Sequence, residues 1–201
     1  KMLGTQKQSL SPNELIQAIL TMEVDLLWNG GIGTYVKSTK ETHLEVGDRA
    51  NDALRINGCD LQAKVVGEGG NLGLTQLGRI EFAENGGRIN TDAVDNAGGV
   101  DCSDNEVNIK ILLNTLVQAG DLTVKQRNKL LYDMTDDVGD LVIEDCYRQT
   151  HSLSITAMRG VNQLKEQVRF IHELERTGKL DRALEFIPDD EEIADRLAKG
   201  N

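Results

Sequence analysis

The stretch "KVVGEGGNLGLTQLGRIEFA", residues 64–83, decides the fold. An apolar pair, Val65 and Val66, runs into a loop with glycines at 67, 69, 70 and 73. Thr75 then stands where a helix N-cap belongs, and the helix it opens closes at Gly86 and Gly87. A strand centred on 64–67, a glycine loop and a helix in this order predict a parallel α/β arrangement.

The flanking sequence carries the same rhythm. Ser11, Pro12 and Glu14 form a capping box with proline at the first helical position, which predicts a helix over 12–21. "VDLLW", residues 24–28, is an uninterrupted apolar run stopped by Asn29, Gly30 and Gly31, as expected of a strand buried on both faces. Residues 45–56 have weak helical spacing. "RINTDAV", 88–94, reads as a third strand entering the loop "DNAGGVDCSDNE".

After Asp104 only helices are expected. Ile109, Leu112, Leu113, Leu116 and Val117 recur on one face, Thr123 and Gln126 form another capping box, and Val161, Leu164, Val168 and Ile171 mark a later stripe. A last helix begins near Asp189 or Asp190. The expected fold class is α/β: a partial doubly wound, Rossmann-like parallel sheet in 1–104, followed by a helical C-terminal region in 105–201 packed on it.

Composition removes several function classes. Of 201 residues 39% are hydrophobic, enough for a core, and none of the apolar runs reaches the roughly 20 residues of a membrane helix. "KMLGTQKQSL" lacks a secretory apolar run, so a cytoplasmic location is the default. A net charge of −11, from 33 acidic and 22 basic side chains with no basic patch, disfavours nucleic acid. Cys59, Cys102 and Cys146 are odd in number and show no CxxC pairing, which suits reduced thiols. A chain that opens on Lys1, already patterned like the middle of a fold, is expected to be a fragment.

Ligands of open parallel sheets bind beyond the carboxyl ends of the strands, where the three glycine-rich loops fall. None of these meets a phosphate template. In "GGIGTYVKST" Val36 occupies the place of the glycine before Lys37 in a P-loop, and in "GEGGNLG" Leu72 stands where the dinucleotide fingerprint needs its last glycine. Glycines alone would serve a sharp turn. Asn71 is not explained that way, since its amide offers two donors and an acceptor at the loop's tip.

Other candidates are weaker. Asp92, Asp95, Asp101 and Asp104 miss the calcium-loop template and read as loop or capping carboxylates, with Ser103 or Asp104 available to cap the following helix. His43, His151 and His172 are isolated, and the Cys102–Ser103 pair has no evident base. No metal site and no catalytic residue is assigned.

Together, "VDLLWNGGIGTYVK", "GDRANDALRING", "KVVGEGGNLGLTQLGRIEFA", "GGRINTD" and "DNAGGVDCSDNEVNIKILL" resemble the large, bacterial-type NAD-specific glutamate dehydrogenases, closely over about 22–115. Smaller glutamate dehydrogenases carry a similar E-G-A-N-x-P-T-T loop and an N-A-G-G-V loop followed by a serine. This chain departs from them with Gly70 for the alanine and no proline before Thr75.

The resemblance implies NAD as cofactor, with Asn71, Gly69 and Gly70 near its ribose and nicotinamide and Asn96 close to nicotinamide and substrate. It further implies that Ser103 binds a substrate carboxylate and that Asn29 contacts the ribose. The parent would be a homo-oligomer oxidising L-glutamate to 2-oxoglutarate. Its pyrophosphate-binding turn and catalytic lysine and aspartate match nothing here, so the fragment alone is expected to be inactive. Two other readings use the same residues: a nucleotide-binding module of another class, and a helical oligomerisation or interaction region.

Overall fold

The computed structural model describes residues 9–199. The chain divides into two compact units, one ending at Thr150 and the other beginning at His151.

The first unit opens with α1, Pro12–Leu20, whose start follows from its capping box: the Ser11 hydroxyl accepts from the Glu14 amide and Glu14 accepts from the Ser11 amide at 2.8 Å. Two parallel ladders follow. Strand β1, Leu26–Asn29, pairs with β4, Val65–Glu68, with Leu26 opposite Val65 and Asn29 opposite Glu68. Strand β2, Val36–Lys37, pairs with β3, Ile56–Asn57. Between β2 and β3 lie a short helix α2, His43–Val46, started by a Thr42–Glu45 capping box, and a 3-10 turn at Arg49–Asn51. The weak helical spacing of 45–56 thus resolves into two short turns and a two-residue strand.

Helix α3, Gln76–Glu84, starts where Thr75 predicts: the threonine hydroxyl accepts from the Gly78 amide at 2.9 Å. It closes the core, in which Phe82 is buried with Val36, Ile56, Leu61, Ala63, Val66 and Leu74. Burying one such large apolar side chain stabilises the fold by about 1.5–3 kcal/mol.

Two expectations change. The run "VDLLW" is not buried on both faces: Leu27 packs on the core, while Leu26 and Trp28 are 56% and 60% exposed. The second face is only partly covered, across a cavity that Val94, Asp95, Cys146 and Thr150 also line, so the strand alternates. "RINTDAV" is not a full strand either. It pairs with β4 only at Arg88, whose amide donates to Lys64 O and whose carbonyl accepts from Val66, and then turns into α4, Asp92–Asp95. Asn90, Thr91 and Asp92 favour turns and helix starts over ladders, since their side chains compete for backbone partners.

Helix α5, Ala97–Ala119, runs unbroken through residue 104 and ends at Gly120 in the left-handed region. Ser103 and Asp104 therefore lie inside the helix and cap nothing; Asn96 occupies the N-cap position. Of the expected apolar stripe only Leu113 is fully buried. Helix α6, Val124–Asp133, begins with the Thr123–Gln126 capping box, and α7 spans Thr135–Arg159.

The second unit contains the end of α7, a 3-10 turn at Gly160–Gln163, α8, Leu164–Arg176, and α9, Asp190–Lys199. Leu164, Val168 and Ile171 form the half-buried stripe of α8. Asp189 caps α9 by accepting from the Glu192 amide at 2.8 Å. Arg182 ties α8 to the start of α9, bonding Glu175 at 2.9 Å and Asp190 at 2.8 Å.

Candidate functional site at the ends of the parallel strands

Strands β1 and β4 end in register, so the loops after Asn29 and Glu68 leave the sheet side by side. The Gly69 amide donates to Asn29 O at 2.7 Å, extending the ladder into the loop. The two loops then approach more closely than side chains would allow. A Cβ on Gly70 would lie 2.8 Å from Gly31 O, and one on Gly69 would lie 2.9 Å from Trp28 Cζ2. Gly70 is required by this backbone contact, whereas the exposed Trp28 ring can turn away from a Cβ at 69.

Asn29 is not free to project from its strand. Its Oδ1 accepts from Gly31 N at 3.4 Å, and its amide nitrogen occupies the space that a Cβ on Gly73 would need. It lies half-buried beneath the second loop. That loop is stitched onward to β2, with Gly73 O accepting from Tyr35 N at 2.8 Å and Val36 N at 3.2 Å.

Beneath the loop sits a charge pair that sequence reasoning missed. Glu68 is 0% exposed, and Arg79 of α3 donates to it through Nε at 2.8 Å and Nη2 at 3.0 Å. Glu68 Oε1 also accepts from the Leu74 amide at 3.1 Å. Two parallel N–H···O bonds are the geometry in which guanidinium recognises carboxylate best. The only signal for the pair in the sequence was an acid at the end of an apolar strand, which must find a cation once buried.

Helix α4 holds the loop from the other side. Asp92 Oδ2 accepts from Leu72 N at 2.8 Å and lies 3.4 Å from Arg79 Nη2, while Asp95 Oδ2 accepts from Glu68 N at 3.1 Å. These carboxylates serve backbone amides, and among the described residues no cluster of three or more His, Cys, Asp or Glu side chains is arranged to hold a metal. Leu72 has φ +60, a left-handed conformation that costs a side-chain-bearing residue about 1–2 kcal/mol. Its side chain is exposed, so packing does not compensate that cost.

The result is a meeting of the loop after β4 with the α4–α5 junction, 25 residues apart in sequence: Asn96 Nδ2 donates to Asn71 Oδ1 at 2.7 Å. Asn96 is freed from capping α5 to make this bond. Its Oδ1 lies where only a glycine at 99 leaves room, since a Cβ there would stand 2.5 Å away. Among the described residues no hydrogen bond engages Asn71 Nδ2 or Asn96 Oδ1, so the pair has one donor group and one acceptor left over.

Ser103 is exposed on α5, two helical turns beyond Asn96 and about 10 Å along the axis at about 1.5 Å per residue. It shares a face with Asn96 and lies beyond hydrogen-bond reach of the amide pair. The structure therefore brings Asn71 and Asn96 into contact, places Asn29 and Gly70 against the neighbouring loop, and leaves Ser103 apart along the same helix face.

Two cavities flank the β1–β4 ladder. One of about 250 Å³ lies under α1 against Leu27, Asn29 and Gly73, and one of about 580 Å³ lies on the open face against Leu26, Trp28 and Asp95. Neither Asn71 nor Asn96 lines these two cavities.

Comparison with known proteins identifies the family. Residues 1–156 match the family described as bacterial NAD-glutamate dehydrogenase, catalytic domain, and the chain belongs to that family. It is 63% identical over 195 residues to an NAD-specific glutamate dehydrogenase of Pseudomonas aeruginosa, 60% over 196 residues to one of Halomonas elongata, and 49% over 191 residues to one of Mycobacterium tuberculosis. These matches cover 97%, 98% and 95% of this chain and 12% of each relative. The chain thus corresponds to a small piece of the relatives' length. No helix among the described residues is long and apolar enough to cross a membrane.

Proposed function

We propose that this chain forms the nicotinamide side of an NAD site in a glutamate dehydrogenase, within the C-terminal part of a Rossmann-like domain over 1–104, with a helical region over 105–201. The whole enzyme converts L-glutamate, NAD and water to 2-oxoglutarate, ammonium, NADH and a proton. The observation that carries the reading is the Asn96–Asn71 hydrogen bond, because it joins the loop after β4 to the start of α5 and leaves one donor group and one acceptor unused by the chain. A nicotinamide carboxamide offers the complementary acceptor and donor, and neutral amides orient it without adding charge beside a ring whose charge changes on reduction.

In this reading Gly69 and Gly70 let the cofactor approach the backbone, Asn29 supports the loop at the ribose side, and Ser103 binds a substrate carboxylate. NAD supplies the hydride acceptor when bound. The residues of this chain position the reactants, and orientation of hydride donor and acceptor is itself a large part of the barrier reduction. The groups that exchange protons with the substrate lie elsewhere in the parent, a cytoplasmic homo-oligomer, so the isolated chain does not turn over glutamate.

The experiment is steady-state kinetics of the full-length enzyme carrying Asn71→Ala or Asn96→Ala. KM for NAD is expected to rise about tenfold for each, the loss of roughly one buried hydrogen bond. Unchanged NAD kinetics in both variants would refute the site. A nucleotide module of another class would show no loss of nicotinamide-dependent turnover. One observation favours a second role for the helices: Ile111, Leu112, Leu141, Ile143 and Tyr147 are exposed on α5 and α7, as a surface awaiting the rest of the parent or another subunit would be.

A further inference from the structure

We infer that Asp92 is a positioning residue of the cofactor site, clamping Leu72 so that Asn71 meets Asn96; this rests on the function proposed above. Leu72 adopts φ +60 although its side chain is exposed, and an L-residue does not hold that conformation without an external constraint. The constraint in view is the 2.8 Å hydrogen bond from Leu72 N to Asp92 Oδ2.

Asp92 is itself held. Its Oδ2 lies 3.4 Å from Arg79 Nη2, and Arg79 is fixed by the buried Glu68. Glu68 in turn accepts from Leu74 N at 3.1 Å, so two carboxylates joined by one guanidinium grip the amides on either side of Gly73. The same short helix carries Asp95, which accepts from Glu68 N at 3.1 Å, and leads directly into Asn96. One rigid element thus sets both asparagines: Asn96 by covalent continuity, Asn71 through its neighbour Leu72. Helix α4 works as a clip whose registration on the glycine loop determines the distance between the two amides.

The test uses the full-length enzyme with Asp92→Ala, Asp92→Asn, Leu72→Gly and Asn71→Ala, measuring KM for NAD, KM for glutamate and thermal midpoint. Asp92→Ala is expected to raise KM for NAD about tenfold with little change for glutamate, as loss of a charged hydrogen bond that aims one group would. Asp92→Asn keeps an oxygen acceptor for Leu72 N and recovers most of the loss. Leu72→Gly keeps the backbone amide that Asp92 grips and relieves the left-handed cost, so it raises KM for NAD less than Asp92→Ala does. The clamp is overturned if KM for NAD changes only in proportion to lost thermal stability, if Leu72→Gly raises it more than Asp92→Ala does, or if it stays at the wild-type value in Asp92→Ala while Asn71→Ala raises it. Wild-type KM for NAD in Asn71→Ala would remove Asn71 from the cofactor site, and the clamp's role with it.

Discussion

Asn96 donates its side-chain amide to that of Asn71 at 2.7 Å, closing a bridge between the loop after β4 and the start of α5. Each of these residues would be an ordinary polar loop residue alone. Joined, they make one surface whose geometry depends on both loops.

A double-mutant cycle should register that dependence. In the full-length enzyme, Asn71→Ala with Asn96→Ala is expected to cost little more in kcat/KM for NAD than either change alone, a coupling of about 1 kcal/mol. Additive losses would mean that the two amides act separately.

The glycines at 98 and 99 make a matched pair. A Cβ at 98 meets nothing within 4 Å, whereas one at 99 would stand 2.5 Å from Asn96 Oδ1. Both lie in α5, where alanine is favoured over glycine by up to about 1 kcal/mol. Gly98→Ala should stabilise the fold and spare NAD kinetics, while Gly99→Ala displaces Asn96 and raises KM for NAD about tenfold, near the loss of one hydrogen bond. Equal NAD kinetics in the two variants would contradict the crowding at 99.

Breaking the buried pair is a question of stability. Arg79→Met leaves the Glu68 carboxylate buried without its cation, a loss of about 3–5 kcal/mol. Replacing both, as Glu68→Gln with Arg79→Met, should restore part of it, because no uncompensated charge remains. Urea unfolding of the single and double variants measures both statements.

Glu81 provides a pH signature. Burial pushes its carboxyl upward, but hydrogen bonds from Ser38, Thr39 and Cys59 outweigh that and bring its pKa from 4.5 to about 2. A carboxyl depressed in the folded state contributes stability that is complete above its unfolded value and is lost as pH falls through its folded one. Stability from Glu81 is therefore expected to decline from pH 4.5 towards pH 2, and Glu81→Gln should flatten that part of the curve. Thermal midpoints across this range, compared between the two proteins, provide the check.

Local chemistry was legible in the chain itself. Ser11, Thr75 and Thr123 start the helices they were expected to start, because capping is settled within one turn of sequence. The strands at Leu26–Asn29 and Val65–Glu68 follow from apolar runs ended by glycine, and the family follows from loops whose order is itself a linear property. The third strand was misread because "RIN" is compatible with a ladder; the side chains of Asn90 and Asp95 bond to each other across the turn instead, at 3.1 Å. The exposure of Leu26 and Trp28 could not be read either, since burial depends on what covers a face and periodicity reports only which residues share one.

By itself, then, the sequence determined the α/β class, the helix starts and the two asparagines worth attention. Only the tertiary structure decided that Asn71 and Asn96 touch, that Glu68 and Arg79 pair beneath them, and that Asp92 and Asp95 serve loop amides. The division has a physical cause. Capping, apolar patterning and glycine turns act over a few residues, so composition at neighbouring positions suffices. Side-chain hydrogen bonds spanning 11, 20 and 25 residues exist only once the chain has folded back to bring the donors and acceptors within about 3 Å of each other.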